Sequence, residues 1–236
     1  IIAQNPDLVL ISPALNRKYP GPVTRLETAG LKVVSLQPDN FQEFAIYIEK
    51  LAMLTGKQEV FKECLDKFYG KLTEISATAA QAAGQAERKT TIFLESSEQG
   101  YFTPAKGSLP YLAIGYAGGE NIAGSPRPQK PNDLQASFGL KNILQKAEDI
   151  DVYVTLQGIE DGGSPLISVK QKPEFKQIKA IREGRLYEIE SILLNSYTFR
   201  YVTGVREIAR YLYPDVFDAI RHFKNDHLLD RETFAE

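Results

Sequence analysis

The longest hydrophobic pattern in the chain covers residues 57–88, which contain no proline. Its apolar positions recur every three or four residues, as on one face of an α-helix: Phe61, Leu65, Phe68, Leu72, Ile75, Ala79 and Ala83. The pattern predicts one helix about three times as long as the average globular helix of roughly 11–12 residues. A core helix or a coiled-coil arm would also fit. The apolar stripe is short for sustained heptads, which favours a rigid strut between two domains.

A strand–helix–strand pattern precedes this helix. Residues 8–11 form a continuous apolar run, typical of a strand buried on both faces. Residues 20–22 read as a loop, residues 23–29 as a helix closed by Gly30, and residues 31–36 as a second strand. Two parallel neighbouring strands are therefore expected. Asn40 and Glu43 have the spacing of a helix N-terminal cap and predict a further helix.

A second α/β pattern follows the long helix. Three strands are predicted at residues 90–94, 151–156 and 185–189, and four helices at residues 111–117, 140–147, 174–183 and 202–213. Residues 121–131 and 158–164 read as loops because they are rich in proline or glycine. Strands that alternate with helices predict a mostly parallel sheet in each half.

Composition excludes several functional classes. The 28 basic and 30 acidic residues give a net charge of −2, which does not fit a nucleic-acid-binding surface. No apolar run approaches the roughly 18 residues of a membrane-spanning helix. The single cysteine, Cys64, lies on the apolar face of the long helix and is predicted to be buried. The two histidines, His222 and His227, stand near the C-terminus, so a histidine-based metal site in a central cleft is not expected.

The motifs of common enzymes are missing from the sequence. It contains no glycine-rich dinucleotide or P-loop pattern, no G-x-S-x-G elbow and no H-E-x-x-H pair. We therefore predict a protein that binds a ligand and is not an enzyme. The alternative enzymatic hypothesis, a doubly wound transferase or a chelatase-like protein, would require a titratable pair converging in a cleft.

Candidate ligand-binding residues follow the predicted strands, because open α/β sheets bind ligands outside the carboxyl ends of their strands. They are Ser12, Arg17, Tyr101, Gln157, Tyr197 and Arg200. An arginine at position 200 could hold an anionic group through a bidentate fork, and the tyrosines could stack on a flat ligand. The alternative is that Arg200 caps a helix or pairs with a surface acid, and that the tyrosines fill the core.

Seven segments occur in an order that resembles one protein family. The family is the class III solute-binding proteins, the bacterial extracytoplasmic receptors of ABC importers for iron–siderophores, haem and cobalamin. The resemblance covers about residues 1–217. The segments that carry it are residues 4–11, 26–34, 51–56, 117–122, 149–153, 179–187 and 204–214.

The resemblance implies an α/β fold of two Rossmann-like lobes with mostly parallel sheets, joined by one long rigid helix. Residues 1–56 would be the remainder of the N-terminal lobe, 57–88 the interlobe helix, and 89–236 the C-terminal lobe with its tail. The family's opening strands have no counterpart here, so the first lobe is expected to be incomplete and the sequence N-terminally truncated. The family docks on a permease through one acidic residue on each lobe, for which Glu27 and Glu190 are the candidates.

The functional expectation is a periplasmic or extracytoplasmic receptor for iron transport. It would capture an iron complex, foremost a ferric siderophore, in an interlobe cleft and deliver it to an ABC importer permease. Haem, a corrinoid and a molybdate-type oxyanion are the alternative ligands, and an interaction protein that has lost its ligand is an alternative of another class. No resident cofactor, metal site or nucleic-acid partner is expected. We expect a monomer that does not span the membrane but is attached to it through a signal or lipid anchor outside this sequence.

Overall fold

The structure is a computed structural model that describes residues 1–38, 40–96, 101–130, 133–158 and 166–219. The chain divides into two compact units, residues 1–63 and 64–236. In the described residues no helix is both long enough and apolar enough to cross a bilayer.

The first unit contains the predicted strand–helix–strand arrangement. Strands β1 and β2 are parallel, with Val9 opposite Val33, and Gly30 precedes β2 in the left-handed conformation at φ 87°. The elements of this unit are β1 (Val9–Ile11), α1 (Pro13–Lys18), α2 (Pro20–Thr28), β2 (Val33–Ser35), α3 (Phe44–Thr55) and the start of α4 (Gln58–Gly84). The helix predicted after Asn40 is confirmed by α3, which follows a 3₁₀ turn over Phe41–Glu43. The Asn40 side chain caps this turn by accepting a hydrogen bond from the Glu43 amide at 3.2 Å.

Two expectations for the first unit are wrong. Residues 20–22 are not a loop but the first turn of α2, because the fixed φ of proline suits the first position of a helix. Strand β1 is not buried on both faces, since Leu10 is 46% exposed. The faces of a strand are covered by elements packed above and below the sheet, and neither α1 nor α2 contains a buried residue.

Helix α4 confirms the long hydrophobic pattern but is shorter than predicted. It ends at Gly84, a poor helix former, and residues 85–88 form turns and bends. Its buried residues all belong to the second unit, and Cys64 is among them, as expected. They are Cys64, Leu65, Phe68, Leu72, Ile75 and Ala79.

The second unit is built on a four-stranded parallel sheet in the order β5-β3-β7-β8, which confirms the predicted mostly parallel sheet. A separate antiparallel pair, β4 with β6, was not predicted. The elements are β3 (Thr91–Glu95), β4 (Phe102–Pro104), α5 (Leu109–Tyr116), β5 (Glu120–Asn121), β6 (Gln135–Ser137), α6 (Leu140–Gln145), β7 (Val152–Gln157), α7 (Leu166–Gln171), α8 (Lys179–Arg182), β8 (Leu186–Glu190), α9 (Ile192–Asn195), α10 (Tyr201–Leu212) and α11 (Pro214–Ala219).

The core of the second unit lies around the central strands β3 and β7, which are almost wholly buried. One cluster joins Phe93 and Tyr153 of these strands to Ile143 of α6, Val169 of α7 and Phe175. Helix α10 contributes the buried side chains Val205 and Ile208, on a face predicted by its helical period.

The helix predicted over residues 174–183 is broken in two. A 3₁₀ turn, Pro173–Gln177, is followed by an extended residue, Ile178, and then by α8. The Lys179 amide donates to the Ala147 carbonyl at 2.9 Å, and the Ala180 amide donates to the Ile150 carbonyl at 3.0 Å. These tertiary hydrogen bonds take donors that a continuous helix would have used within itself. Most of the loop predicted at 158–164 lies outside the described residues, as do His222 and His227.

Candidate functional site

Three strands of the second unit end at one edge of the sheet, where the sequence places its candidate residues. Glu95 at the end of β3 is in register with Thr155 of β7, and Gln157 at the end of β7 is in register with Glu190 at the end of β8. Neighbouring strands lie about 4.8 Å apart. The structure therefore brings Gln157, a predicted ligand residue, beside Glu190, a predicted docking residue, and both are exposed.

A buried tyrosine–carboxylate pair lies beneath this edge. The Tyr153 hydroxyl donates to Oε2 of Glu95 at 2.6 Å, and both residues have no solvent exposure. Burial raises the pKa of Tyr153 well above its usual value, and the charge of Glu95 raises it further. The hydroxyl therefore stays protonated and donates its hydrogen to the carboxyl oxygen. Tyr153 was not among the predicted site residues, although a tyrosine inside an otherwise apolar strand indicates that its hydroxyl has a partner.

A second buried hydroxyl lies next to this pair. Ser96 follows β3 and is 3% exposed, and its carbonyl accepts a hydrogen bond from Nε2 of Gln135 at 3.0 Å. Within the described part of the chain, its Oγ atom has no hydrogen-bond partner. Buried hydroxyl groups usually have partners, so this atom is a polar group available at the carboxyl end of β3.

Tyr101 is fixed in an unusual backbone conformation. Its φ is 54°, in the left-handed region that bulky residues seldom adopt. Its carbonyl accepts hydrogen bonds from the amides of Phe138 and Gly139 at 3.1 and 3.2 Å, which hold this conformation. The half-buried ring lies 5.7 Å from the ring of Phe175, and the Lys172 ammonium lies 4.9 Å from its centroid. The sequence analysis missed Lys172, because it does not follow a strand.

Arg200 lies immediately before α10, at the N-terminal end of that helix. Its side chain is exposed and forms no ion pair within the described residues. The amide groups at a helix N-terminus favour anions, so the guanidinium group and the N-terminal end of α10 would both attract an anionic group. Tyr197 is half-buried three residues earlier. Tyr201 is a core residue, since it is 1% exposed and its hydroxyl donates to the Leu109 carbonyl at 2.8 Å.

The remaining candidates belong to the first unit. Ser12 caps α1, because its Oγ accepts a hydrogen bond from the Leu15 amide at 3.2 Å. Arg17 lies exposed in the last turn of α1, and Glu27 lies exposed in α2. Ser12 thus has a structural role whatever its role in ligand binding.

Comparison with known families decides the classification. A family model described as "Periplasmic binding protein" matches residues 1–193.

The chain belongs to the periplasmic binding protein family.

Two curated relatives show what this family member resembles. The Vitamin B12-binding protein of Salmonella choleraesuis is 28% identical over 131 residues, which are 56% of this chain and 47% of that protein. The ABC transporter substrate-binding lipoprotein YvrC of Bacillus subtilis is 22% identical over 219 residues, 92% of this chain and 65% of that protein. The chain therefore spans between about half and two thirds of the length of these relatives.

Solved structures agree with the fold. The periplasmic haem-binding protein of Pseudomonas aeruginosa superimposes with a TM-score of 0.72 at 19% identity, over 91% of this chain and 75% of that one. The predicted resemblance and the predicted α/β class are thus confirmed. Periplasmic binding proteins bind the substrates of transporters and are not enzymes, which agrees with the absence of enzyme motifs from the sequence.

Proposed function

We propose that this periplasmic binding protein is the solute-binding part of an extracytoplasmic receptor for an iron complex. A ferric siderophore is the foremost candidate solute, and the receptor delivers it to the permease of an ABC importer. Family membership supports the general role. The observation that carries the choice of an anionic metal chelate is the exposed Arg200 at the N-terminal end of α10, with Tyr197 three residues away.

A corrinoid is the second candidate solute. The curated relatives named Vitamin B12-binding protein favour it, because they share more than a quarter of the aligned residues with this chain. The tyrosines suit either solute, since an aromatic ring can pack against a flat macrocycle as well as against a catecholate. The two candidates differ in charge, so cationic side chains matter more for a ferric siderophore.

A ligand panel tests the proposal. The chain has 12 tyrosines and no tryptophan, so binding can be followed by tyrosine fluorescence together with thermal unfolding. The probes are a ferric catecholate siderophore, haemin, cyanocobalamin and molybdate. Stabilisation by an iron complex supports the iron receptor, and stabilisation by cyanocobalamin alone moves the assignment to a corrinoid receptor. A folded protein that responds to none of them favours an interaction protein that has lost its ligand.

Removal of the Arg200 side chain is expected to weaken solute binding. Arg200→Ala should lower the affinity for the probe that binds by about 1.5–3 kcal/mol, the usual value of a hydrogen bond to a charged group. Isothermal titration calorimetry measures the change. Arg210→Ala is the matched control, because Arg210 lies at the other end of α10 and pairs with Glu207 at 2.8 Å. An unchanged dissociation constant in Arg200→Ala would remove Arg200 from the binding site.

We propose Glu27 and Glu190 as the residues that dock on the permease. Both are exposed, one in each unit, as a docking pair requires. Glu27→Lys or Glu190→Lys should reduce receptor-stimulated ATP hydrolysis by the reconstituted importer, because the acidic group offered to the permease would be replaced by the opposite charge. Solute affinity should stay constant in both variants. A loss of solute affinity in Glu190→Lys would instead assign Glu190, the register neighbour of Gln157, to the binding site.

A further inference from the structure

The ammonium group of Lys172 is held by two aromatic rings. Its Nζ atom lies 4.9 Å from the centroid of Tyr101 and 5.2 Å from the centroid of Phe175. The two rings are themselves 5.7 Å apart and tilted by 55°. Both distances are within the range of cation–π attraction. The rings fix the position of the charge without accepting its N–H groups as carboxylate oxygens would.

The other basic residues near Lys172 are engaged differently. Residues 166–185 carry six Lys and Arg but only two Glu, on a chain whose net charge is −2. Lys179 pairs with Asp151 at 2.8 Å, and Arg182 pairs with Glu148 at 2.5 Å. Lys172 is half-buried and forms no ion pair with any residue that the structure describes. Its positive charge is therefore not neutralised by a described carboxylate.

The position of Lys172 connects it to the proposed binding edge. Tyr101 belongs to the segment that follows the carboxyl end of β3, and its backbone is held in the left-handed region. Strained residues of this kind occur preferentially at ligand-binding sites, where the surrounding structure fixes them. The Ser96 amide, directly after β3, donates to the carbonyl of Phe102, the residue next to Tyr101, at 2.9 Å. The lysine ammonium lies 4.9 Å from the Tyr101 ring, so this contact places Lys172 near the edge where β3 ends.

We propose that Lys172 determines specificity for solutes that present anionic oxygens, and that Tyr101 and Phe175 position its ammonium group for that contact. This inference rests on the proposed receptor function and narrows its solute class to chelates with carboxylate or catecholate oxygens. An ammonium group carries three donors, and those that do not face the rings remain available for such oxygens. The ring of Tyr101 lies beside the same contact and can pack against the apolar part of the chelate.

Three lysine variants test this role. Lys172→Met keeps the aliphatic packing against the rings but removes the charge, and Lys172→Arg keeps the charge. Lys170→Met is the matched control, because Lys170 is exposed in α7 only two residues away. Each variant is titrated with ferric tris(2,3-dihydroxybenzoate) and haemin as anionic probes, and with cyanocobalamin as a probe without a net charge. Thermal unfolding without a probe reports on any loss of folding.

We expect at least one anionic probe to bind, with an affinity that falls roughly 10-fold to 100-fold in Lys172→Met, as for a lost charged hydrogen bond. Lys172→Arg should stay within about 3-fold and Lys170→Met should be unchanged. Equal binding of the anionic probe to Lys172→Met and the wild type overturns this inference but leaves the receptor function standing. An equal loss in Lys172→Met and Lys172→Arg does the same. Binding of cyanocobalamin alone overturns this inference and moves the receptor assignment from an iron complex to a corrinoid. Failure of every probe to bind the folded wild type overturns both proposals.

Discussion

Replacement of Asp151 by asparagine is expected to lower the free energy of unfolding by about 2–3 kcal/mol at pH 7. Asp151 immediately precedes β7 and has a side chain that is only 7% exposed. It receives hydrogen bonds from the two terminal guanidinium nitrogens of Arg88 at 2.6 and 2.8 Å, from the Lys179 ammonium at 2.8 Å, and from the Thr91 amide at 2.9 Å. Asparagine has almost the same size but carries no charge. Its side-chain NH₂ group would face N–H donors of the surrounding residues and could not accept their hydrogen bonds.

The expected loss is smaller than for a fully buried ion pair. Removing one partner of such a pair costs roughly 3–5 kcal/mol, because the other charge stays buried. The side chains of Arg88 and Lys179 are 52% and 30% exposed, so water can solvate both when the carboxylate is gone. Urea unfolding of the two proteins, followed by circular dichroism, measures the difference.

The contribution of Asp151 depends on pH in a defined direction. Burial alone would raise the pKa of this carboxyl group, but the hydrogen bonds from Arg88, Lys179 and Thr91 outweigh burial and lower it. A group whose pKa is lower in the folded state stabilises the fold above its unfolded pKa of about 4 and loses this effect as the pH falls through the folded value. The gap between wild type and Asp151→Asn should therefore be constant from pH 8 to 5 and should narrow below pH 4.

Glu148 provides the control for this prediction. It makes the same kind of contact, since Arg182 donates to its two oxygens at 2.5 and 2.9 Å, but its side chain is 71% exposed. Water screens exposed ion pairs, so Glu148→Gln should change the stability much less than Asp151→Asn does. Equal effects of the Glu148 and Asp151 substitutions would show that burial does not decide the strength of these pairs.

The elements that could be predicted from the sequence are those whose structure follows from a local pattern of apolar residues. The apolar stripe of α4 repeats with the helical period, and β3 and β7 are short continuous runs of mostly apolar residues, so their type follows from local pattern. Residues 174–183 also have a helical pattern, but the amides of Lys179 and Ala180 bond to carbonyls about 30 residues away in the chain. Such long-range hydrogen bonds have no local signal. They explain why one predicted helix is a 3₁₀ turn followed by α8.

Some residues of the candidate site could likewise be predicted from the sequence, and others could not. Gln157 and Glu190 could be predicted because they end consecutive parallel strands, and the carboxyl ends of parallel strands share one edge. Lys172 follows a helix, and its place between Tyr101 and Phe175 depends on the left-handed backbone of Tyr101. Neither the conformation nor the ring contacts can be deduced from the spacing of these residues in the sequence.

The substitution Gly204→Ala is expected to destabilise the second unit by about 2–3 kcal/mol, as for other overpacked sites. Gly204 is buried in α10, where an added Cβ atom would lie 2.5 Å from the carbonyl oxygen of Leu193 and 2.7 Å from Cδ2 of Leu194. The nearest atom belongs to the backbone of α9, so a rotation of one side chain does not relieve the contact. The loss should exceed the gain of roughly 1 kcal/mol that alanine brings to a helix.

Gly115→Ala separates packing from helix propensity. Gly115 is exposed in α5 and no atom lies within 4 Å of the position of its Cβ, so alanine should stabilise the protein by roughly 0.5–1 kcal/mol. Opposite signs of the two effects in thermal unfolding are the expected result. The segment between α9 and α10 carries Tyr197 and Arg200, so separation of these helices in Gly204→Ala should also weaken solute binding. If Gly204→Ala is as stable as Gly115→Ala in thermal unfolding, α9 can move away from α10 without a loss of stability. The close approach at Gly204 would then not position Arg200.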